Sequence, residues 1–362
     1  MRVVCALPYA LDSAPGQRYR WEQWAPGLRQ HGVDIELLPF CTPALEAARE
    51  AKRKAAAVFL FMSRWPYWAR EFLSARNADA VIVFRNAALA GPPLLELAVV
   101  AAGTPLIYDF DDAIYLPPEG GDNLIRRIVR CDWRVGTLCR HASLVSVGNP
   151  ILEEYAKRFT SRTAVWPTTI SMEAYTERPS NSTSCPIIGW TGSRSTAQYF
   201  ESMLPLLREL RREASFRVLA VGAQFDLSGL EGECVPWTAS TEVPTLHRMD
   251  IGVMPLPDTP WARGKCALKA LQYLAVGIPA VVSDVGVSAQ VVPHETCGFV
   301  VRTPDQWKRR LLELIGDPTL RRRLGYAGRE HVRRSYSAES WTPKIASTLR
   351  NLVGKGITSH AC

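Results

Sequence analysis

The stretch from residue 250 to residue 286 constrains the fold of this chain most strongly. It opens with an apolar run of strand length, residues 251–256, which three prolines break into a polar loop. Residues 266–275 then carry apolar side chains mostly at helical spacing, and residues 280–282 are typical of a buried parallel strand. Open α/β sheets bind ligands at the carboxyl ends of their strands. The polar loop between the first strand and the helix is therefore a candidate ligand site.

The end of this loop suits an anion. We expect Gly264 and Lys265 to lie at a helix N-terminus, where backbone N–H groups and the helix dipole favour negative charge. Lys269 follows four residues later, so both ammonium groups could lie on one helix face and reach a diphosphate. A packed helix with two solvated lysines is the alternative that these residues leave open.

The same stretch resembles the nucleotide-sugar signature of the retaining glycosyltransferases of family 4 (glycosyl transferases group 1), which have the two-domain GT-B fold. The resemblance lies in residues 274–282, Leu-Ala-Val-Gly-Ile-Pro-Ala-Val-Val. Members of that family usually carry two glutamates with seven residues between them. Here Gly264 and Gln272 occupy those positions, and an amide can still hydrogen-bond a ribose hydroxyl without the charge.

A similar strand, turn and helix lie at the start of the second half of the chain, before the stretch 250–286. Residues 187–190 are typical of a strand, residues 191–196 of a turn, and residues 197–212 of a helix. A Gly-Ser turn at a helix N-terminus is again suited to an anion, and the resemblance implies that it lies beside the donor diphosphate, with Arg194 as a phosphate clamp. The predicted donor-binding residues are Gly192, Ser193, Arg194, Gly264, Lys265, Lys269 and Gln272.

The first half of the chain opens with the same pattern. A strand at residues 2–8 leads through a turn to a helix at about residues 18–30. The turn carries Gly16, Gln17, Arg18 and Arg20 at a strand-to-helix junction, where substrates lie in such sheets. We predict that these four residues bind the acceptor. For the two arginines, solubilising the helix end is the alternative.

Three carboxylates follow the strand at residues 105–108: Asp109, Asp111 and Asp112. Bringing them together is unfavourable unless a cation or a proton donor compensates. An Asp-x-Asp after an apolar strand is the manganese motif of the other glycosyltransferase fold, GT-A. The resemblance instead places this patch where family 4 usually carries a His-Asp near the two sugars, and because a nucleotide half follows, we predict these three as catalytic, without a metal. Capping of the next turn is the third interpretation.

The length of 362 residues fits two domains. We expect an α/β protein of the GT-B class, with two facing doubly wound Rossmann-like domains. The predicted parts are an acceptor-binding domain (1–170), a linker rich in Ser, Thr and Pro (171–186), a nucleotide-sugar domain (187–336), and a C-terminal helix with a loose tail (337–362) that packs back on the first domain.

Composition excludes several classes of protein. The nine cysteines are scattered without a C-x-x-C pair, which fits a reducing cytoplasm rather than a disulfide or zinc scaffold. The net charge of +8 suits an anionic partner: a nucleotide diphosphate, an anionic lipid surface or nucleic acid. The arginine-rich helical residues 304–336 are interpreted as a solvated face, with peripheral contact to an anionic membrane as the alternative.

The resemblance implies transfer of a sugar, with retention, from a nucleotide diphosphate sugar to a hydroxyl of a small-molecule, glycan or lipid-linked acceptor. It implies neither a metal nor another cofactor, and with such a donor no nucleic acid is expected as a partner. Two other functions stay open. A non-catalytic partner subunit that binds a nucleotide sugar would explain the missing glutamates, and a nucleotide-sugar epimerase shares the two-domain fold and needs acid/base groups.

Overall fold

The computed structural model describes residues 1–89, 91–117, 131, 133–179 and 185–359. Its contacts divide the chain into two compact units, Met1–Thr168 with Trp341–Cys362, and Thr169–Ser340. Each unit contains one six-stranded sheet in which every pair of neighbouring strands is parallel. This architecture confirms the predicted α/β class.

The sheet of the first unit has the strand order β2-β1-β3-β4-β5-β6. Its strands are β1 (Arg2–Leu7), β2 (Asp34–Pro39), β3 (Ala80–Phe84), β4 (Leu106–Phe110), β5 (Leu144–Val147) and β6 (Thr163–Val165). The central strands β3 and β4 are buried along their whole length. Near-continuous apolar runs of this kind form when helices cover both faces of a parallel sheet.

Helices connect these strands, and the first of them is irregular. It begins with Pro15–Gln17, continues as the π-helical turn Arg18–Glu22 and ends as Gln23–Gln30. The prediction placed the start of this helix at about residue 18, three residues too late. It did not use Pro15, although proline at the first helical position is a start signal. The other described helices of the unit are Pro43–Glu50, Lys54–Ser74, the 3-10 turn Ala75–Asn77, Leu94–Ala101, Trp133–His141 and Pro150–Lys157.

The sheet of the second unit has the order β12-β11-β10-β7-β8-β9. Its strands are β7 (Ile187–Thr191), β8 (Arg217–Val221), β9 (Gly232–Val235), β10 (Ile251–Met254), β11 (Ala280–Ser283) and β12 (Gly298–Val301). Its helices are Arg194–Glu201, Leu204–Leu210, Glu242–Leu246, Pro260–Arg263, Leu268–Ala275, Ser288–Val291, Pro304–Gly316 and Pro318–Ser335. Residues of β7, β8 and β10 pack with four of these helices in one apolar core.

The last helix, Ala338–Ser359, belongs by its contacts to the first unit from Trp341 onward. Thr342 packs so closely against Gly27 that a Cβ at Gly27 would lie 3.0 Å from its Cγ2. Further along, Arg350 donates a hydrogen bond to the carbonyl of His31. These contacts hold the helix on the first unit.

The segment predicted as a linker is part of the second unit where the structure describes it. Ile170 pairs with Ser337 in an isolated bridge, and Tyr175 is buried. Arg178 donates from Nη1 to the Oδ1 of Asp250 over 2.8 Å. Residues 180–184 of the predicted linker lie outside the described part of the chain.

The arginines of Pro304–Gly316 and Pro318–Ser335 are only partly solvated. Arg321 is buried and donates from Nη1 to the carbonyl of Leu314 over 2.6 Å. Arg310 pairs with Glu295 and Glu313, so its charge is balanced within the unit. In the described residues, no helix is both long enough and apolar enough to cross a membrane.

Candidate functional site

Two of the predicted donor-binding segments meet at the carboxyl end of β7. Lys269 donates from Nζ to the Oγ1 of Thr196, 3.1 Å away, in the helix that follows β7. The same ammonium lies 5.7 Å from the ring centroid of the buried Trp190, close enough for a cation–π contact. The structure therefore places a half-buried cation beside the Gly192–Ser193 turn, as an anion site at this edge requires.

Gly192 allows this approach because it has no side chain. A Cβ at that position would lie 2.4 Å from Cζ2 of Trp190 and 2.7 Å from Cε of Lys269. Its N–H donates to the carbonyl of Val221 over 3.0 Å, which fixes the turn to the end of β8. The turn is thus shaped by packing on both sides.

Ser193 is the N-cap residue of the helix Arg194–Glu201, in extended conformation, and its side chain makes no capping hydrogen bond. The first N–H groups of a helix have no intrahelical partner and favour an anion at that end. Arg194 is the first residue of this helix, but its side chain lies outside the described part of the structure. Its predicted role as a phosphate clamp stays a prediction.

The helix predicted to start at Gly264 begins four residues later, at Leu268. Gly264 closes the short helix Pro260–Arg263, and the next helix begins only at Leu268. Between them, Ala267 has φ 54°, in the left-handed region, which breaks the helical path. Lys265 therefore lies in the connection and Lys269 in the first turn, so the prediction that both share one helix face is wrong.

Lys265 and Lys269 nevertheless lie in one continuous segment at the carboxyl side of β10. Lys265 is partly exposed, with Nζ 5.9 Å from the ring centroid of Trp261. Arg263 is exposed and forms two hydrogen bonds with Asp258, of 2.6 and 2.9 Å. The segment thus carries three cationic side chains, of which Arg263 pairs with Asp258.

Tyr273 anchors the Leu268–Ala275 helix to the sheet. Its buried hydroxyl accepts from the N–H of Thr191 over 3.0 Å and donates to the carbonyl of Val253 over 3.2 Å. A Cβ at Gly252 would lie 2.2 Å from the Tyr273 ring, so the ring packs directly on the strand backbone. Burial raises the pKa of Tyr273 above its usual range, and the hydroxyl stays protonated. The helix that carries Lys269 is therefore held at the ends of β7 and β10.

Gln272 lies on the same helix but is buried in a polar network. Its Nε2 donates to the Oη of Tyr175 over 3.0 Å and to the Oε1 of Glu242 over 2.9 Å. The same Oε1 accepts from the indole N–H of Trp237 over 3.0 Å. Gln272 is thus an amide that contacts a carboxylate from a different helix.

In the first unit, Asp109 forms a fully buried pair with Arg20. Arg20 donates from Nε and Nη2 to the two carboxylate oxygens, over 2.9 and 2.5 Å, and both side chains are 0% exposed. Asp109 also accepts from the indole N–H of Trp21 and the hydroxyl of Ser146, each over 2.7 Å. The predicted substrate contacts of Asp109 and Arg20 do not fit this burial, because each satisfies the other inside the protein.

The other two aspartates share one arginine. Arg85 follows β3 with φ 53° and donates from Nε to Asp111 over 2.6 Å and from Nη2 to Asp112 over 2.7 Å. Burial raises the pKa of Asp111, but the attraction of Arg85 outweighs it and leaves that pKa below its ordinary value. Burial likewise lowers the pKa of Arg85, and the two carboxylates raise it by more. Asp111 and Arg85 are therefore both charged at neutral pH.

Gly16 of the predicted acceptor turn lies against this cluster. A Cβ at Gly16 would lie 2.4 Å from Nη2 of Arg85 and 2.6 Å from Oδ2 of Asp111. Gln17 is buried and turned away from it: it accepts from the N–H of Tyr9 over 3.1 Å and donates to Glu22 over 2.7 Å. Arg18 lies 3.9 Å from Asp12. The four predicted acceptor residues thus have different surroundings: Gly16 lies against Arg85 and Asp111, and Arg20 pairs with Asp109.

Several residues at these sites were not predicted, among them Thr196, Glu242 and Arg85. Arg85 carried the same signal as Asp109, since both stand at the carboxyl end of a strand. Thr196 lies in the first turn of the helix after the Gly-Ser turn, but Glu242 gave no local signal. Among the described residues, no group of three or more His, Cys, Asp or Glu is arranged to hold a metal ion.

Comparison with known proteins finds similarity to glycosyltransferases at two levels, a family model and solved structures. The family model for glycosyl transferases group 1 matches residues 185–317, which lie in the second unit and include Gly192, Lys269 and Gln272. No curated protein matches the chain. Similar solved structures cover both units.

A sucrose-phosphate synthase from Thermosynechococcus elongatus is 15% identical, with a TM-score of 0.70 over 98% of this chain and 100% of the other. A glycosyltransferase from Rickettsia africae is 12% identical, with a TM-score of 0.71 over 97% and 98%. Anabaena HepE, solved in complex with UDP, is 14% identical, with a TM-score of 0.66 over 97% and 100%. The fold is GT-B. At these sequence identities the similarity establishes the fold, and the activity has to be inferred from the residues of the site.

Proposed function

We propose that this chain is a glycosyltransferase that moves a sugar from a nucleotide diphosphate sugar to a hydroxyl acceptor, with retention of configuration. The observation that carries the proposal is the contact of Lys269 with the helix after the Gly192–Ser193 turn. It joins two elements that suit an anion at the carboxyl end of one parallel sheet, within the segment that matches the glycosyl transferase family model. The UDP in the HepE structure is of the ligand class that such a site suits.

In the proposed reaction the acceptor oxygen forms a bond to C1 of the sugar, and the bond from C1 to the diphosphate oxygen breaks. The proton of the acceptor hydroxyl passes to the departing diphosphate oxygen. Negative charge grows on the departing diphosphate. Lys269, Lys265 and the N-terminus of the Leu268–Ala275 helix are the groups that would stabilise it, as preorganised donors do in electrostatic catalysis. In this scheme no metal is needed to balance the leaving group.

In the first unit we propose substrate contacts for the more exposed charged residues and supporting roles for the buried ones. Asp112 is the most exposed of the three aspartates, with 26% of its side chain accessible, and Asp111 shares Arg85 with it. These two carboxylates would orient sugar or acceptor hydroxyls, with Gly16 leaving room for the cluster. Asp109 and Arg20 would support the site by fixing the ends of the strands.

The test is incubation of the purified protein with a panel of nucleotide diphosphate sugars and hydroxyl acceptors. We expect free nucleoside diphosphate together with a glycoside whose anomeric configuration, read by NMR, equals that of the donor. Binding without turnover would point to a non-catalytic subunit, and an epimerised donor would point to an epimerase. A product with inverted anomeric configuration would refute retention and leave the transferase activity standing.

A further inference from the structure

An unusually apolar surface lies on the helix Lys54–Ser74 of the first unit. Nine large apolar side chains are exposed among the described residues, and five of them are on this helix. They are Val58, Phe59, Met62, Trp65 and Tyr67, all in its first two thirds. Single exposed apolar residues are ordinary in proteins, but a group of this size on one element marks an interaction surface.

The opposite side of the helix is packed into the unit. The ring of Phe61 lies 5.1 Å from that of Phe40, and the ring of Trp68 lies 5.3 Å from it. Trp68 stacks on Phe72 at 5.0 Å, and both are 0% exposed. The helix is therefore fixed by its own inner aromatic residues, and its outer side is presented to solvent.

Spacing makes the outer residues continuous. Val58, Met62 and Trp65 are four and three residues apart, so their side chains lie above one another on one face. Phe59 is three residues before Met62 and widens this face. The result is an apolar strip along the first turns of a helix that lies on the protein surface.

The charge around the strip is unbalanced. Residues 51–70 contain five cationic side chains and neither Asp nor Glu. Lys52, Arg53 and Lys54 are exposed at the start of the helix. Of the other two cations, Arg64 pairs with Glu71 over 2.8 Å. Three solvated cations thus adjoin the apolar strip.

We propose that this surface, residues 52–67, docks on the anionic face of a lipid bilayer. Helices that lie in a membrane interface combine an apolar face rich in large side chains with lysines and arginines that contact anionic headgroups. Trp65 and Tyr67 are the aromatic types that favour the headgroup region, since one end of each ring is apolar and the other polar. The proposal rests on this helix alone and does not depend on the transferase activity.

The experiment is co-sedimentation of the full chain with phosphatidylcholine vesicles, with and without phosphatidylglycerol. We expect at least about tenfold tighter binding to the anionic vesicles, and weaker binding as salt rises. The double variants Phe59→Ser/Met62→Ser and Lys52→Glu/Lys54→Glu should each reduce binding by about tenfold or more. Tyr326→Ser, at an exposed apolar position of the second unit, is the matched control and should bind like wild type.

Hydrogen exchange on the wild-type chain gives a second measurement that needs no variant. Amides of residues 54–67 should exchange more slowly when anionic vesicles are added, and amides of Pro318–Ser335 should not. Equal binding to both vesicle types, or binding that both double variants retain, would overturn the proposal. Self-association that Phe59→Ser/Met62→Ser abolishes, without any vesicle binding, would assign the surface to a second copy of the chain instead.

Discussion

Gln272 donates a hydrogen bond from its Nε2 to the Oε1 of Glu242 over 2.9 Å, and both side chains are buried. The amide thus supplies a proton donor to a carboxylate that stands thirty residues earlier in the chain. A glutamate at position 272 would place two carboxylates against each other. The contact gives a physical reason for Gln at a position where the resemblance leads one to expect Glu.

We therefore expect Gln272→Glu to destabilise the protein at neutral pH by roughly 1–3 kcal/mol, because a buried donor is lost and like charges meet. Two carboxylates that share a site raise the pKa of one of them. A carboxyl group whose pKa is raised in the folded state destabilises the fold at pH values above the pKa of the unfolded chain. The difference in unfolding free energy between wild type and variant should therefore narrow as pH falls from 7 towards 5. Urea unfolding at both pH values measures it.

The double variant Gln272→Glu/Glu242→Gln is the matched control for this pair, since it again sets one amide beside one carboxylate. It should recover much of the lost stability. An unchanged melting temperature for Gln272→Glu, together with tighter nucleotide binding, would show that position 272 contacts the ribose instead.

Lys269→Ala should weaken use of the donor far more than it weakens folding, and Lys265→Ala should do the same to a smaller extent. A charge-assisted contact with a phosphate is typically worth roughly 1.5–3 kcal/mol, which corresponds to at least about tenfold in kcat/KM. Lys308→Ala is the control, because Lys308 pairs with Glu209 and Glu213 on the surface of the same unit. Wild-type kinetics for Lys269→Ala at subsaturating donor would remove this lysine from the site.

Turnover should survive exhaustive chelation and should not rise when manganese is added back. The expectation follows from the cations proposed to balance the leaving group, Lys265 and Lys269. Asp109 would have to leave its buried pair with Arg20 before it could bind a metal. Loss of activity on chelation with full rescue by manganese would refute this scheme and return Asp109 and Asp111 to the role of metal ligands.

Gly16→Ala should reduce kcat/KM strongly with little loss of stability. The new methyl group would meet Nη2 of Arg85 at 2.4 Å and Oδ2 of Asp111 at 2.6 Å, so these side chain ends must shift. Gly316→Ala is the matched control, since a Cβ at Gly316 would meet nothing within 4 Å. If the two variants turn over at the same rate, the Arg85 cluster has no part in the reaction.

Arg85→Met should make stability depend on pH in a defined direction. In the wild type the pKa of Asp111 is lowered from 3.8, so its pairing with Arg85 stabilises the fold above that pH and is lost below it. Without Arg85, burial raises the pKa of Asp111, and the variant should be least stable relative to wild type near neutral pH. The gap should close as pH falls through about 4. Arg29→Met, at an exposed pair with Asp34, should show no such trend.

Sequence patterns located the strand ends well and the side-chain partners poorly. Apolar runs and helical spacing placed Gly192 and Lys269 at the carboxyl edge of the second sheet, because parallel strands with helical crossovers leave few alternatives. The partners of Asp109 were not foreseeable: Arg20 stands 89 residues away, and only tertiary packing brings the two together. The left-handed Ala267 was missed for the same reason, since nothing in its own residue type favours that conformation.

The buried charge of Asp109 also ties several parts of the first unit into one cooperative group. It accepts hydrogen bonds from Arg20 and Trp21 after β1 and from Ser146 on β5, and Arg20 in turn donates to the carbonyl of Trp166 after β6. If any one of these segments detached, an ion would remain in the apolar interior with fewer partners, which is strongly unfavourable. The helix start after β1, the end of β4, the strand β5 and the segment after β6 are therefore coupled through one ion, and we expect their amides to be exposed to exchange together.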